Sequence, residues 1–232
     1  MEGRGKRVSG SILKLVAMIS MLIDHTAAAT LRFMSMNATQ VQVYNLMRDI
    51  GRMAFPIYCY LLVEGFLHTT DVKKYLTRLG LFALLSEIPF DLAITGKVLE
   101  FGHQNVFFTL FLGLVSIWVV DFIQKKRLPV TGYVVVFICL CTAWMLKTDY
   151  AYTGVLVIIV MYLLRRKKVL AFLAGCGLLL LFYGTGELPA LVGIIFVALY
   201  NGRRGLNLKY FFYLFYPVHL ALLAIVREII IR

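Results

Sequence analysis

The feature that most limits what this 232-residue chain can fold into is a succession of nine apolar runs. They lie near residues 12–31, 50–67, 76–94, 105–123, 129–146, 150–164, 169–183, 188–200 and 210–226. Most are long enough to cross the roughly 30 Å hydrocarbon core of a bilayer as helices. Of the residues 61% are hydrophobic and only 16% charged, with a mean hydropathy of +0.84; soluble domains keep close to a quarter of their residues charged. The expected fold class is therefore all-α: one polytopic membrane helical bundle over residues 1–232, of about nine transmembrane helices. The seventh and eighth runs are short for full crossings, so that pair is either little tilted or partly re-entrant.

The net charge of +12 does not mark a nucleic-acid partner, because the bases stand in short clusters between apolar runs. Arg4/Lys6/Arg7, Lys73/Lys74/Arg78, Lys125/Lys126/Arg127, Arg165/Arg166/Lys167/Lys168 and Arg203/Arg204/Lys209 hold two-thirds of the 24 lysines and arginines. They fall at the N-terminus and in every second connection, whereas the alternate connections carry isolated bases such as Arg32, Arg48, Lys97 and Lys147. The positive-inside rule then predicts a cytoplasmic N-terminus and, with nine spans, an external C-terminus. The basic N-terminus, apolar run and Ala27-Ala28-Ala29 together resemble a signal peptide. Asp24 and His25 interrupt the run, which continues to Leu31, so the segment is expected to be retained as the first helix. Cys59, Cys139, Cys141 and Cys176 lie inside apolar runs without a Cys-x-x-Cys pair and read as packing residues. No metal motif, glycine-rich phosphate loop or Gly-x-Ser-x-Gly elbow is present, and no metal is expected.

Within the first run, Ile19-Ser20-Met21-Leu22-Ile23-Asp24-His25 sets a carboxylate beside an imidazole. At 1.5 Å per residue from Ile12 these lie about 18–20 Å into the membrane, past its midplane. Ionisable groups there cost about 2.5–3.5 kcal/mol each on insertion scales and normally face a protein interior. Other polar groups share the level: Arg52, Glu87 and Asp91, His103, Gln104 and Asn105, Asp149, Tyr150 and Tyr152, and His219. An outward-facing polar site is the simplest explanation. Adjacent helical residues point about 100° apart, so Asp24 is poorly placed to hold the His25 ring. It is expected to pair with Arg52 across the first hairpin, leaving Glu87 or Asp91 to orient His25. Lys14, three turns before His25, shares its face with Met18 and Met21. It either receives an anionic donor from the cytoplasmic side or anchors the helix by snorkelling to headgroups.

Each of these residues also has a plainer role. His25 could be a neutral interhelical hydrogen-bonder, His219 could satisfy a carbonyl freed by Pro217, and Asp24 with Arg52 could be a structural ion pair. Glu64 sits where headgroup exposure would account for it. The aromatic run Tyr210–Tyr216 suits an interfacial belt.

The segments Leu13-Lys14…Met21-Leu22-Ile23-Asp24-His25, Gly51-Arg52-Met53-Ala54-Phe55-Pro56…Leu62-Val63-Glu64-Gly65-Phe66, Ser86-Glu87-Ile88-Pro89-Phe90-Asp91, Gln104-Asn105-Val106-Phe107-Phe108-Thr109-Leu110 and Lys209-Tyr210-Phe211-Phe212-Tyr213-Leu214-Phe215-Tyr216-Pro217-Val218-His219 together resemble the TraX family, across almost the whole chain and in order. Thr26-Ala27 departs from the glycine expected soon after the histidine, which bears on packing more than chemistry. The resemblance implies a pilin-acetylase-like protein of the bacterial inner membrane. It is similar to transmembrane acyltransferases that move acetyl groups from cytosolic acetyl-CoA to acceptors across the membrane, with His25 at the position of their key histidine.

That chemistry suits the residues. Acetyl transfer needs a base near neutrality, which imidazole is, with Asp24, Glu87, Asp91 and His219 as companion groups. It needs oxyanion donors, for which Arg52, Gln104, Asn105 and the hydroxyls of Tyr150 and Tyr216 are candidates. The phosphates of acetyl-CoA would meet Lys14, Lys73, Lys74, Arg78, Arg203 or Arg204 at the basic surface. Besides acetyl-CoA and membrane lipids, the implied partner is an outer-face acceptor, a peptide amine or a glycan. Direct transfer and an acetyl-histidine intermediate both stay open. So do two other classes: a proton-coupled secondary transporter, which predicts inverted repeats, and a non-catalytic pilus-assembly protein, which would tolerate loss of His25.

Overall fold

The computed structural model describes residues 8–126, 132–206 and 209–231; Arg4, Lys6, Arg7 and Arg127 of the basic clusters lie outside these. The helices in order are α1 (Gly10–Ala29), α2 (Ala38–Gly51), α3 (Ala54–His68), α4 (Val72–Ile94), α5 (Val106–Lys126), α6 (Tyr133–Met145), α7 (Ala151–Leu163), α8 (Lys168–Tyr183), α9 (Gly193–Leu199) and α10 (Lys209–Ile231). Short 3₁₀ segments cover Leu31–Phe33 and Thr185–Val192. Among the described residues there is no strand, only the isolated bridges Val8–Tyr200 and Gln104–Thr148.

The expectation of an all-helical membrane protein holds; the nine full crossings do not come out as such. Among the described residues four stretches are long and apolar enough to span: Gly10–Phe33, Ala38–His68, Val106–Lys125 and Tyr210–Ile230. Helices α6 and α7 have 13 residues each, about 20 Å at 1.5 Å per residue, well short of the hydrocarbon thickness. The eighth run is broken by Pro189 into a 3₁₀ segment and the seven-residue α9. Large apolar side chains on the outside, such as Leu84, Leu85, Phe137, Leu181 and Leu222, are more than half exposed. A belt of that extent needs lipid to cover it.

The largest correction is α2, which fills what reads in the sequence as a polar connection. A capping box starts it: Asn37 Oδ1 accepts from the Gln40 N–H and Gln40 Oε1 from the Asn37 N–H, both at 2.9 Å. Such a cap is worth about 1 kcal/mol. The chain breaks at Arg52-Met53 and runs on as α3. At the break the Ile50 carbonyl loses its helical donor and takes the Ser20 hydroxyl at 2.7 Å, which ties α2 to the middle of α1. Gly51 makes that contact possible, since a Cβ there would lie 2.3 Å from the Asp24 side chain.

The buried core lies where α3, α5, α7 and α8 meet, around Ile57, Leu114, Ile117, Ile158, Phe172 and Leu179. Two ends of the bundle can be told apart by charge. At one, Gly10 and Ser11 donate to the Arg203 and Arg204 carbonyls. There too Lys168 Nζ reaches the carbonyls of Ala198 and Tyr200 at the close of α9, a cation on helix-end acceptors. Lys125 joins Asp121 and, through Asp121, Tyr162, whose ring carries Arg165. At the opposite end the connections 95–105, 146–150 and 184–192 come together around α2.

Candidate active site

His25 on α1 meets His219 on α10. His25 Nδ1 and His219 Nε2 are 2.8 Å apart, and the rings are nearly parallel at 2°. His219 Nδ1 lies 2.7 Å from the Phe215 carbonyl one turn back. A carbonyl only accepts, so His219 carries its proton on Nδ1 and its Nε2 is a lone pair. With both rings neutral, the His25 Nδ1–H donates to it, and the His25 Nε2 is left unprotonated. Charging either ring at this depth without a counter-ion would be costly. The pair is held by Phe215, face-on to His219 at 4.6 Å, and by Tyr216, edge-on to both rings at 5.8 and 5.7 Å. Phe215 is not the carbonyl that Pro217 deprives of its donor, which would be Tyr213, so the proline-satisfying role for His219 does not apply.

Two cavities, each of about 590 Å³, lie toward opposite ends of the bundle; His25 and His219 line neither, and the inner one meets the pair's surroundings at Tyr216. Binding pockets commonly fall in this size range. The inner cavity is lined by Gly10, Arg78 and Arg204, with Glu64 and His68, and by Lys14, Leu61, Met21, Tyr58 and Tyr216. Arg78 stacks on Tyr75 at 5.6 Å, and Lys14 Nζ lies over Phe212 at 5.1 Å. The outer cleft is lined by Asp24, Arg48, Arg52, Asp149, Tyr150 and Glu187, with Trp144 and Tyr183 among its aromatic walls. Met21 and Asp24, one on each cavity, are three residues apart on α1, about 4.5 Å along its axis. Tyr150 of the outer lining is stacked on Phe55 at 4.0 Å, and Phe107 and Tyr216 of the inner lining meet edge-on at 5.1 Å.

Of the sequence candidates, His25, His219 and Tyr216 come together, and Lys14, Arg78 and Arg204 line the inner cavity. Asp24 turns away from His25, as expected, but its partner is Arg48 at 2.7 Å, not Arg52. Helix α2 continues the hairpin upward, so the residue one turn before Arg52 faces Asp24. Arg52, at the helix break, instead pairs with Glu187 at 3.0 Å. Neither Glu87 nor Asp91 orients His25. Glu87 accepts from the Asn105 side chain, and Asp91 accepts from the Glu100 N–H at 2.8 Å. Both carboxylates fasten the 95–105 connection to α4. Asn105 is a structural residue, bonded also to the Ala83 carbonyl and capping the Phe107 N–H. Gln104 acts through its backbone, bonded to Lys147 and Asp149. Lys73 and Lys74 are exposed on the first turn of α4, where Lys74 pairs with Asp71, and Arg203 is exposed away from the cavity lining.

The residues that sequence reasoning missed are Arg48 as a partner and Glu187. Glu187 is a buried carboxylate on the Gly-Thr-Gly-Glu-Leu-Pro connection, and a lone acid between two apolar runs was its one signal. Its Oε2 and the Arg52 Nε are buried without a hydrogen-bond partner. Asp149 lies 3.8 Å from His103; burial pushes its carboxyl above the usual range, opposed by His103, Arg48 and Arg52. Among the described residues no three His, Cys, Asp or Glu converge as a metal site.

Fold and site together define a polytopic helical membrane protein built around an intramembrane histidine pair. Comparison with known proteins carries this to the family. Residues 9–227 match the family model described as TraX protein, and the chain belongs to the TraX family. It is similar to the probable fimbrial assembly protein FimC, serogroup H1, of Dichelobacter nodosus. The two are 35% identical over 237 residues, covering 91% of this chain and 92% of the relative. No solved structure matches.

Proposed function

We propose that this protein is a membrane-embedded acetyltransferase that takes an acetyl group from acetyl-CoA entering at the basic end and delivers it to an amine or hydroxyl acceptor at the opposite face. The observation that carries the reading is the inner cavity, whose lining joins three bases and one acid, Glu64, to a run of leucines and to Tyr216, which lies edge-on to both histidines. Lys14, Arg78 and Arg204 suit the phosphates of the donor, and the apolar stretch suits its pantetheine arm. The alternating basic clusters support a cytoplasmic N-terminus in the bacterial inner membrane. Likeness to a probable fimbrial assembly protein supports a role connected with surface fibres.

In this mechanism the unprotonated His25 Nε2 removes the acceptor proton as the nucleophile attacks the thioester carbonyl. The carbon–sulfur bond then breaks and the proton passes from His25 to the departing thiolate. His219 holds the tautomer that makes this possible, as a positioning residue. A donor for the transient oxyanion is available in the Tyr216 hydroxyl or in Arg52.

The test is acetyl-CoA binding and slow hydrolysis by purified protein, wild type beside His25→Ala. Wild type is expected to bind acetyl-CoA and release CoA, while His25→Ala binds without release. Equal CoA release by both would remove His25 from the mechanism, and absence of binding in detergent and in lipid would remove the enzyme reading.

A further inference from the structure

We infer that the outer cleft is the acceptor site and that its acceptor is a neutral, polyhydroxylated molecule, a saccharide that is acetylated on a hydroxyl. This rests on the acetyltransferase reading and names the substrate class that the second cavity fits. The cleft gathers three carboxylates, Asp24, Asp149 and Glu187, and three basic side chains, Arg48, Arg52 and Lys147, so its formal charge is balanced. An ammonium acceptor would meet three like charges there, and a carboxylate acceptor three others. A polyol, with a donor and an acceptor on each hydroxyl, can use both halves of an arginine–carboxylate pair at once.

Two further observations point to a missing ligand. Glu187, which lines the cleft, is buried, its side chain only 4% exposed, and its Oε2 has no hydrogen-bond partner; the Nε of Arg52, whose Nη1 pairs with Glu187 Oε1, is buried and unpaired too. Buried polar atoms are rarely left so, and these two supply one unused acceptor and one unused donor on a single ion pair. The cleft also carries three aromatic side chains, Tyr150, Tyr183 and Trp144, with Tyr183 edge-on to Tyr150 at 5.5 Å. Flat rings beside bidentate polar groups match a pyranose, which shows a C–H face to an aromatic ring and hydroxyls at its rim. The backbone adds a third sign. Lys147, Tyr150 and Ala151 all hold positive φ, at 51°, 59° and 42°, in the segment that shapes this wall. Strain of that kind persists where surrounding structure enforces it, and it clusters at ligand sites.

In the reaction the saccharide hydroxyl oxygen forms the new ester bond to the acetyl carbon. To get there the hydroxyl reaches past Asp24, which lines the cleft, to His25, the next residue on α1, which does not. The acetyl carbon–sulfur bond breaks, and the hydroxyl proton passes by way of His25 Nε2 to the CoA thiolate, so an O-acetyl sugar and free CoA are the only products.

The experiment offers neutral oligosaccharides (maltotriose, cellotriose and chitotriose) and a short peptide with a free N-terminal amine to the full-length protein in lipid nanodiscs. It follows calorimetric binding without donor and, separately, acetylated product by mass spectrometry with acetyl-CoA. At least one saccharide is expected to bind saturably and to gain 42 Da with acetyl-CoA present, by about the mass of one acetyl replacing hydrogen. Glu187→Gln should weaken saccharide binding about tenfold or more while leaving acetyl-CoA binding unchanged. Tyr183→Ala, at a half-exposed position, should do the same if Glu187→Gln fails to fold. Acetylation of the peptide alone would overturn the saccharide assignment and leave the acetyltransferase standing. Failure of every saccharide to bind would also overturn it. Saccharide binding with no acetyl transfer to any acceptor would keep the site and remove the reading on which its chemistry rests.

Discussion

At His25 the bond made by one ring nitrogen decides what the other can do. Because His219 Nδ1 is committed to the Phe215 carbonyl, His219 presents a lone pair, and His25 must donate its own Nδ1 proton to it. Replacing His219 with Phe keeps much of the ring packing but removes that acceptor. Turnover of acetyl-CoA is then expected to fall about 100-fold, at the low end for a general base, with little change in KM. A ¹⁵N spectrum should show the His25 tautomer mixture shift, which a purely structural role would not produce. Unchanged turnover would make His219 a packing residue. His25 was legible in the sequence as a candidate, from its depth and its charged neighbour. Its partner was not, because six or more polar groups share that level and helical spacing ranks none of them. The Asp24 direction was read correctly from the 100° rule; its partner was misread because Arg48 lay in a stretch taken for a loop.

Helix α2 shows why that stretch misled. Taken without α3 it is too polar for a span, and Gly51 is its only buried residue. What starts it is local: the reciprocal Asn37–Gln40 cap. What fixes its position is the close approach of Gly51 to Asp24, a contact between residues 27 apart that no window of sequence contains. Gly51→Val should force the two helices apart and cost about 1–3 kcal/mol, seen as a lower thermal midpoint in detergent and as loss of the Asp24–Arg48 pair. Gly177, in α8 with open space where a Cβ would go, is the control. Gly177→Ala should be neutral or stabilise by about 0.5–1 kcal/mol through helix propensity. Equal destabilisation by both would mean that the α1–α2 contact is not specially tight. The other misread elements fail for a related reason: the apolar runs near α6, α7 and α9 have the composition of spans, but Pro189, the positive-φ residues near 147–151 and the short connections cut the helices down.

For the whole molecule, the composition and the alternating bases made a membrane-embedded helical bundle legible, along with a charged end and a polar site toward the other. The two cavities were not legible, because each is assembled from four or more elements whose mutual packing decides where space is left. The inner one keeps only three of the six bases proposed for the donor: Lys14, Arg78 and Arg204 line it, while Lys73, Lys74 and Arg203 do not. Bases chosen by charge alone include those that only set topology. The central claim is that the cavities exchange an acetyl group at His25. The most direct measurement uses sealed proteoliposomes of uniform orientation, with acetyl-labelled acetyl-CoA offered only on the side of the basic end. Labelled acetyl, as acetate or on an added acceptor, should accumulate in the opposite compartment with wild type and not with His25→Ala. Label released only into the donor compartment, or at equal rates in the two proteins, would contradict the account.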